Sequence, residues 1–243
     1  MTYCVGLRLD RGLVFMSDTR TNSGVDNIAT YGKMHRWCTP GERAIVLLSA
    51  GNLATSQAVV SLLDERSVAP ADRAPSILEA PTMFQVARLV GQTLKEVIAN
   101  HAETGQQAEA TFNSTLIVGG QIGDMEPRLF LIYPEGNFIE ASAETPFMQI
   151  GETKYGKPIL VRAYDPAMSF EDAVKLLLVS FDSTLKANLS VGLPLDLIAY
   201  QDGALELDDP IRIQEDDPYY RQISTGWGDA LRTAFNSLPD YSF

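Results

Sequence analysis

The hydrophobic pattern opens with two runs joined by a tight turn. Thr2 to Leu9 and Gly12 to Asp18 predict a β-hairpin, with a glycine in the Asp10-Arg11-Gly12 turn where positive φ is needed. Leu13-Val14-Phe15-Met16 is apolar without interruption, the pattern of a strand covered on both faces. Thr19 to Thr30 is polar, contains Asn22-Ser23-Gly24, and reads as a loop. A strand follows from Lys33 to Cys38, a turn at Pro40-Gly41, and a strongly apolar strand from Arg43 to Ala50. Gly51-Asn52 ends that strand, and Leu53 to Leu63 reads as helix.

Ser67 to Pro81 has no clear period and reads as a loop. Met83 to His101 is the clearest helix: Met83, Val86, Ala87, Val90, Leu94, Val97 and Ile98 recur at helical spacing. Strands return at Ser114 to Gly119, Arg128 to Tyr133, Asn137 to Ala141 and Phe147 to Gly151, with Pro134-Glu135-Gly136 turning one into the next. Ser169 followed by Asp172 resembles a capping box and starts a helix that continues through Phe181 to Leu185. A strand from Pro194 to Tyr200 ends before Asp202-Gly203, and a last helix lies around Trp227 to Leu238. The order is strands, two helices, strands, two helices, strands. Segregated runs of this kind predict an α+β architecture, with two sheets packed face to face between helical layers.

Composition narrows the function classes. The chain has 243 residues, of which 45% are hydrophobic, enough for a globular core without disulfides. Lys and Arg total 19 against 31 Asp and Glu, and a net charge of −12 argues against nucleic acid as a partner. Two cysteines, Cys4 and Cys38, form neither a disulfide framework nor a zinc site and read as small buried hydrophobes. With no signal peptide and no apolar run near ~20 residues, a cytoplasmic protein is expected.

Several familiar sites are missing. The two histidines, His35 and His101, sit in a strand and at a helix end, and no Gly-x-Ser-x-Gly elbow exists for a Ser-His-Asp triad. Metal-ligand clusters are absent, and no cofactor is expected. Gly151-Glu152-Thr153-Lys154-Tyr155-Gly156-Lys157 has phosphate-loop spacing, but Pro158 replaces the Ser or Thr that would hold Mg²⁺. Asn113-Ser114-Thr115 and Asn188-Leu189-Ser190 match the glycosylation pattern, which carries no weight without secretion.

What remains is the head of the first strand. If Met1 is removed, Thr2 carries a hydroxyl nucleophile and a free α-amine on one residue. The amine's unperturbed pKa of about 7.7–8.0 leaves a neutral fraction to act as base. Lys33 is a candidate cation to tune that amine, Asp18 a carboxylate to hold the lysine, and Gly51 a place where substrate approaches an oxyanion-binding backbone. Each also has an ordinary role: Asp18 as a turn cap, Lys33 as a solvated cation, Gly51 as a strand terminator.

Taken together, Thr2, the run Gly12 to Arg20, Lys33 and Ser49-Ala50-Gly51 before a helix resemble the proteasome β-type subunits. The segments Asn22 to Ala29 and Asp217 to Leu238 strengthen a resemblance that covers essentially the whole chain. It implies an N-terminal nucleophile hydrolase: a four-layer αββα sandwich, one domain over residues 1–243 with a C-terminal extension from about 205. It implies Thr2 as nucleophile, Asp18 and Lys33 as its partners, and Gly51 N–H in the oxyanion hole. It also implies assembly into a ring or ring-like oligomer acting on peptides or unfolded protein. The chain departs from the pattern at two supporting positions. Ala187 stands where an aspartate precedes Ser190, with Asn188 as the candidate substitute, and Glu152 stands where a serine follows the glycine. A small-amide hydrolase and a non-catalytic ring-forming scaffold are the alternatives.

Overall fold

The computed structural model describes residues 2–22, 28–68, 76–103 and 112–243. Met1, residues 23–27 of the expected Thr19 to Thr30 loop and residues 69–75 of the Ser67 to Pro81 loop lie outside them. β1 (Tyr3–Leu9) and β2 (Gly12–Asp18) form the expected hairpin. The next stretch is not all loop, because β3 (Arg20–Asn22) pairs antiparallel with β4 (Ile28–Thr30). β5 (Met34–Thr39), β6 (Arg43–Gly51), α1 (Leu53–Val68) and α2 (Met83–Glu103) follow close to their predicted bounds. So do β7 (Ser114–Ile122), β8 (Arg128–Ile132), β9 (Phe138–Glu140) and β10 (Phe147–Gly151).

The main departure comes next. Residues Thr153–Ala163, whose head reads as a failed phosphate loop, form helix α3 with Pro158 inside it. An interior proline costs about 3 kcal/mol of helix stability, since it removes an N–H and crowds the preceding turn. Packing offsets that cost: Leu160 is fully buried and Ile159 lies against the same apolar cluster. α4 (Phe170–Ala187) starts as its sequence predicts, with Ser169 Oγ accepting from Asp172 N at 3.1 Å. β11 (Leu195–Gln201) and a short β12 (Ile211–Ile213) lead to α5 (Pro218–Asn236). α5 starts earlier than its apolar residues suggest, because Asp217 caps Tyr220 N and Pro218 suits a first helical turn.

The strands sort into two five-stranded antiparallel sheets, β10-β1-β2-β11-β12 and β5-β6-β7-β8-β9. Alternation along each strand then builds three apolar layers. Leu13 and Phe15 of β2 meet Ala44, Val46 and Leu48 of β6 between the sheets. Val14 and Met16 point the other way, onto Leu177 and Phe181 of α4. Ile45 and Leu47 of β6 turn outward to Val59 and Leu63 of α1 and Val86 and Val90 of α2. The result is a four-layer αββα sandwich. The continuous apolar runs of β2 and β6 are explained by it, since both strands are covered on both faces. No described helix is long and apolar enough to cross a membrane.

Candidate active site

Thr2 lies just before β1, at the end of the sandwich where β2, β6 and β10 also finish. Its carbonyl accepts the Glu152 N–H at 2.7 Å, which fixes the head of the chain to the end of β10. The β1–β2 register places Asp18 beside the next residue, and Tyr3 N donates to Asp18 Oδ1 at 3.1 Å. Gly192 N donates to Asp18 Oδ2 at 3.3 Å.

Lys33 comes from the other sheet. It immediately precedes β5, and its carbonyl is held by Ser49 N at 3.0 Å. Its ammonium crosses to Asp18 Oδ1 at 2.6 Å and to the Arg20 carbonyl at 2.7 Å. Both side chains are buried, Asp18 completely. Burial raises the Asp18 carboxyl above its ordinary value, while Lys33 and the N–H groups of Tyr3 and Gly192 pull it back. All three partners of this side chain are donors, which suits an ionised carboxylate.

A cavity of about 630 Å³ opens here, lined by Thr2, Arg20, Lys33, Gly51, Asn52 and Glu152 among others. Gly51 is at its edge with φ +116, and a Cβ there would lie 2.5 Å from the Asn113 carbonyl, so only glycine fits. Asn52 follows as the cap of α1, its Oδ1 accepting from Thr55 N at 3.0 Å. Behind it Ser56 and Ser114 share a hydrogen bond at 2.8 Å, and Ser114 Oγ donates to the Ala50 carbonyl.

The structure therefore brings Thr2, Asp18, Lys33 and Gly51 to one end of the sandwich, and Thr2, Lys33 and Gly51 to one cavity. The two departing positions differ in where they fall. Asn188 accepts from Ser190 N at 2.9 Å and Ser190 Oγ at 2.6 Å, so this pair closes its own loop. That loop reaches the site indirectly, through Gly192 on Asp18 and the Leu189 carbonyl on Arg20 Nη1. Glu152 stands in the cavity wall itself. Asn52 and Ser56 were not picked out from the sequence, although Gly51-Asn52 before a helix is a legible cap signal. The residues 151–157 are no phosphate cradle: Gly156 packs against the Tyr3 and Ser180 side chains.

The four-layer sandwich is the N-terminal nucleophile hydrolase fold in its proteasome form, and the proteasome subunit family matches residues 86–192. Full-length structures narrow this further. An Anbu (Gly-1) mutant from Hyphomicrobium sp. strain MC1 is 50% identical over 100% of both chains, with a TM-score of 0.92. Anbu (ancestral beta-subunit) from Yersinia bercovieri is 46% identical over 100% of both chains, also with a TM-score of 0.92. A structure described as the helical assembly of the Anbu complex from Pseudomonas aeruginosa is 45% identical. It covers 99% of this chain and 98% of its own, with a TM-score of 0.91. The chain belongs to the Anbu family of proteasome-related subunits. Comparison with curated proteins returned no match.

Proposed function

We propose that the chain is a threonine-type peptidase, active once Met1 is removed, working in the cytoplasm within a self-associated ring-like or helical assembly. The observation that carries this reading is the buried Lys33–Asp18 pair at 2.6 Å, bound also to the N–H that follows Thr2. A buried ion pair contributes little net stability, so its placement against the first strand is better accounted for by chemistry there. Thr2 Oγ attacks the substrate carbonyl carbon, and its proton passes to the Thr2 α-amine. The Gly51 N–H receives the developing oxyanion. Collapse of the tetrahedral adduct expels the amine half of the peptide, which takes the proton, and leaves an ester on Thr2. Water, deprotonated by the same amine, then cleaves the ester. Assembly is supported by the helical complex of the Pseudomonas relative.

The test joins intact mass with activity. Mass spectrometry is expected to show loss of Met1. Wild-type protein is expected to turn over fluorogenic peptides and to be labelled by a threonine-directed peptide epoxyketone, and Thr2→Ala to do neither. Equal labelling of Thr2→Ala and wild type would end the reading. Turnover of small amides in place of peptides would keep the site and change the substrate class.

A further inference from the structure

Glu152 lines the cavity with a carboxylate oxygen that the contacts of the site leave unanswered. It is 7% exposed and lines the cavity beside Thr2. Its backbone N–H is bound to the Thr2 carbonyl at 2.7 Å, so the two residues are held against each other. Yet Oε2 is buried with no hydrogen-bond partner. Glu152 is also the N-cap of α3, where a carboxylate usually accepts a helix N–H, but this side chain caps nothing. The nearest cation to Oε2 is Lys154 Nζ at 4.0 Å, beyond hydrogen-bond reach, on a side chain that is mostly in solvent. The helix dipole favours negative charge here but supplies no donor to this oxygen. A buried acceptor without a donor is costly, and that cost falls when a cationic donor enters the cavity.

The other charges around the cavity belong to Lys33, Arg20 and, behind Lys33, Asp18. Lys33 is bound to Asp18 and the Arg20 carbonyl. Arg20 Nη1 donates to the Leu189 carbonyl, and its Nε, buried without a partner, is packed against Gly192. Asp18 takes Lys33 and two N–H groups. On the neighbouring face the Tyr3 hydroxyl is shared with Ser180 and Gln149. The ammonium that fits is one created at the head of β1. We propose that Glu152 is a positioning residue that binds the α-ammonium of Thr2 and raises the pH at which this amine becomes a base. The inference rests on Thr2 being the first residue of the active chain. It makes the site alkaline in character, with the protonated amine paired to Glu152 at neutral pH. No bond is made or broken; one proton is retained on the Thr2 nitrogen.

The experiment uses the full chain released from an N-terminal fusion so that Thr2 is its first residue. The α-amine pKa is measured by competitive acetylation across pH, read by mass spectrometry. The wild-type value is expected above the ordinary 7.7–8.0. Glu152→Gln and Glu152→Ser are expected to lower it by about one unit, and Glu152→Asp to restore most of the shift. Epoxyketone labelling at pH 7 should then be several-fold faster in Glu152→Gln. An amine pKa that is the same in wild type and in both neutral variants overturns the proposal, whatever the labelling shows. A shifted pKa with no labelling of any variant leaves Glu152 in its role and removes the peptidase reading instead.

Discussion

Replacing Lys33 by Met tests the buried pair at the centre of the site. The aliphatic stem is preserved and the charge is lost. Asp18, fully buried, would keep only the N–H donors of Tyr3 at 3.1 Å and Gly192 at 3.3 Å. Removing one partner of a buried ion pair costs about 3–5 kcal/mol, because the remaining charge is desolvated and uncompensated. Urea unfolding followed by the fluorescence of buried Trp37 reads this directly. With an m-value of about 3 kcal/mol/M, the midpoint should fall by about 1–2 M at fixed protomer concentration. Asp18→Asn combined with Lys33→Met should recover about 1–3 kcal/mol relative to Lys33→Met alone, since the orphan charge is gone. The pH dependence has a defined sign. Burial holds Asp18 above its unfolded value of about 3.9, and more so without Lys33. Between those two values the folded state binds more protons than the unfolded one, so the variant's stability rises as pH falls. The deficit of Lys33→Met is therefore expected to narrow on acidification from pH 7. A variant within 1 kcal/mol of wild type, or strictly additive substitutions, would refute the reasoning.

Two further outcomes follow from particular contacts. A Cβ at Gly156 would run into the Tyr3 hydroxyl and Ser180 Oγ. Gly156→Ala should therefore push α3 from β1 and cost about 1–3 kcal/mol in the same unfolding assay, with epoxyketone labelling reduced because Thr2 is tied to the head of α3. Burial lowers the His35 pKa below its ordinary value, with the Asp64 carboxylate acting against that. The unfolded chain then takes up a proton first as pH falls through about 6.5, so stability is lost on acidification there. Unfolding midpoints of His35→Gln between pH 7 and pH 5 should fall less steeply than those of wild type.

Local signals located most of the elements, and their failures have identifiable causes. Ser169 with Asp172 marked α4 because capping is a contact within four residues, and the apolar rhythm of Met83 to Ile98 marked α2 for the same local reason. α3 was illegible because Gly156 and Pro158 argue against a helix locally, while the contacts that hold it come from Tyr3 of β1 and from α4. β3 and β4 are three residues each, too short for alternation to show. The start of α5 is signalled by Asp217-Pro218 and not by hydrophobic spacing, because the apolar residues begin later.

The site divides along the same line. From the residues themselves one can read a threonine heading a strand, a carboxylate ending the next, a lysine before a third and a glycine before a helix. These are properties of chain order and of side-chain chemistry. Whether they meet is not, because Asp18 ends a strand of one sheet, Lys33 precedes a strand of the other, and the two touch only when the sandwich closes. The same closure seals Asp18 from solvent and leaves Glu152 Oε2 buried without a donor. Sequence determined the strands and the candidate groups, since hydrophobic periodicity and donor chemistry are local. Tertiary structure alone decided distance and desolvation, the two quantities that set an ordinary carboxylate and lysine apart as members of a candidate site.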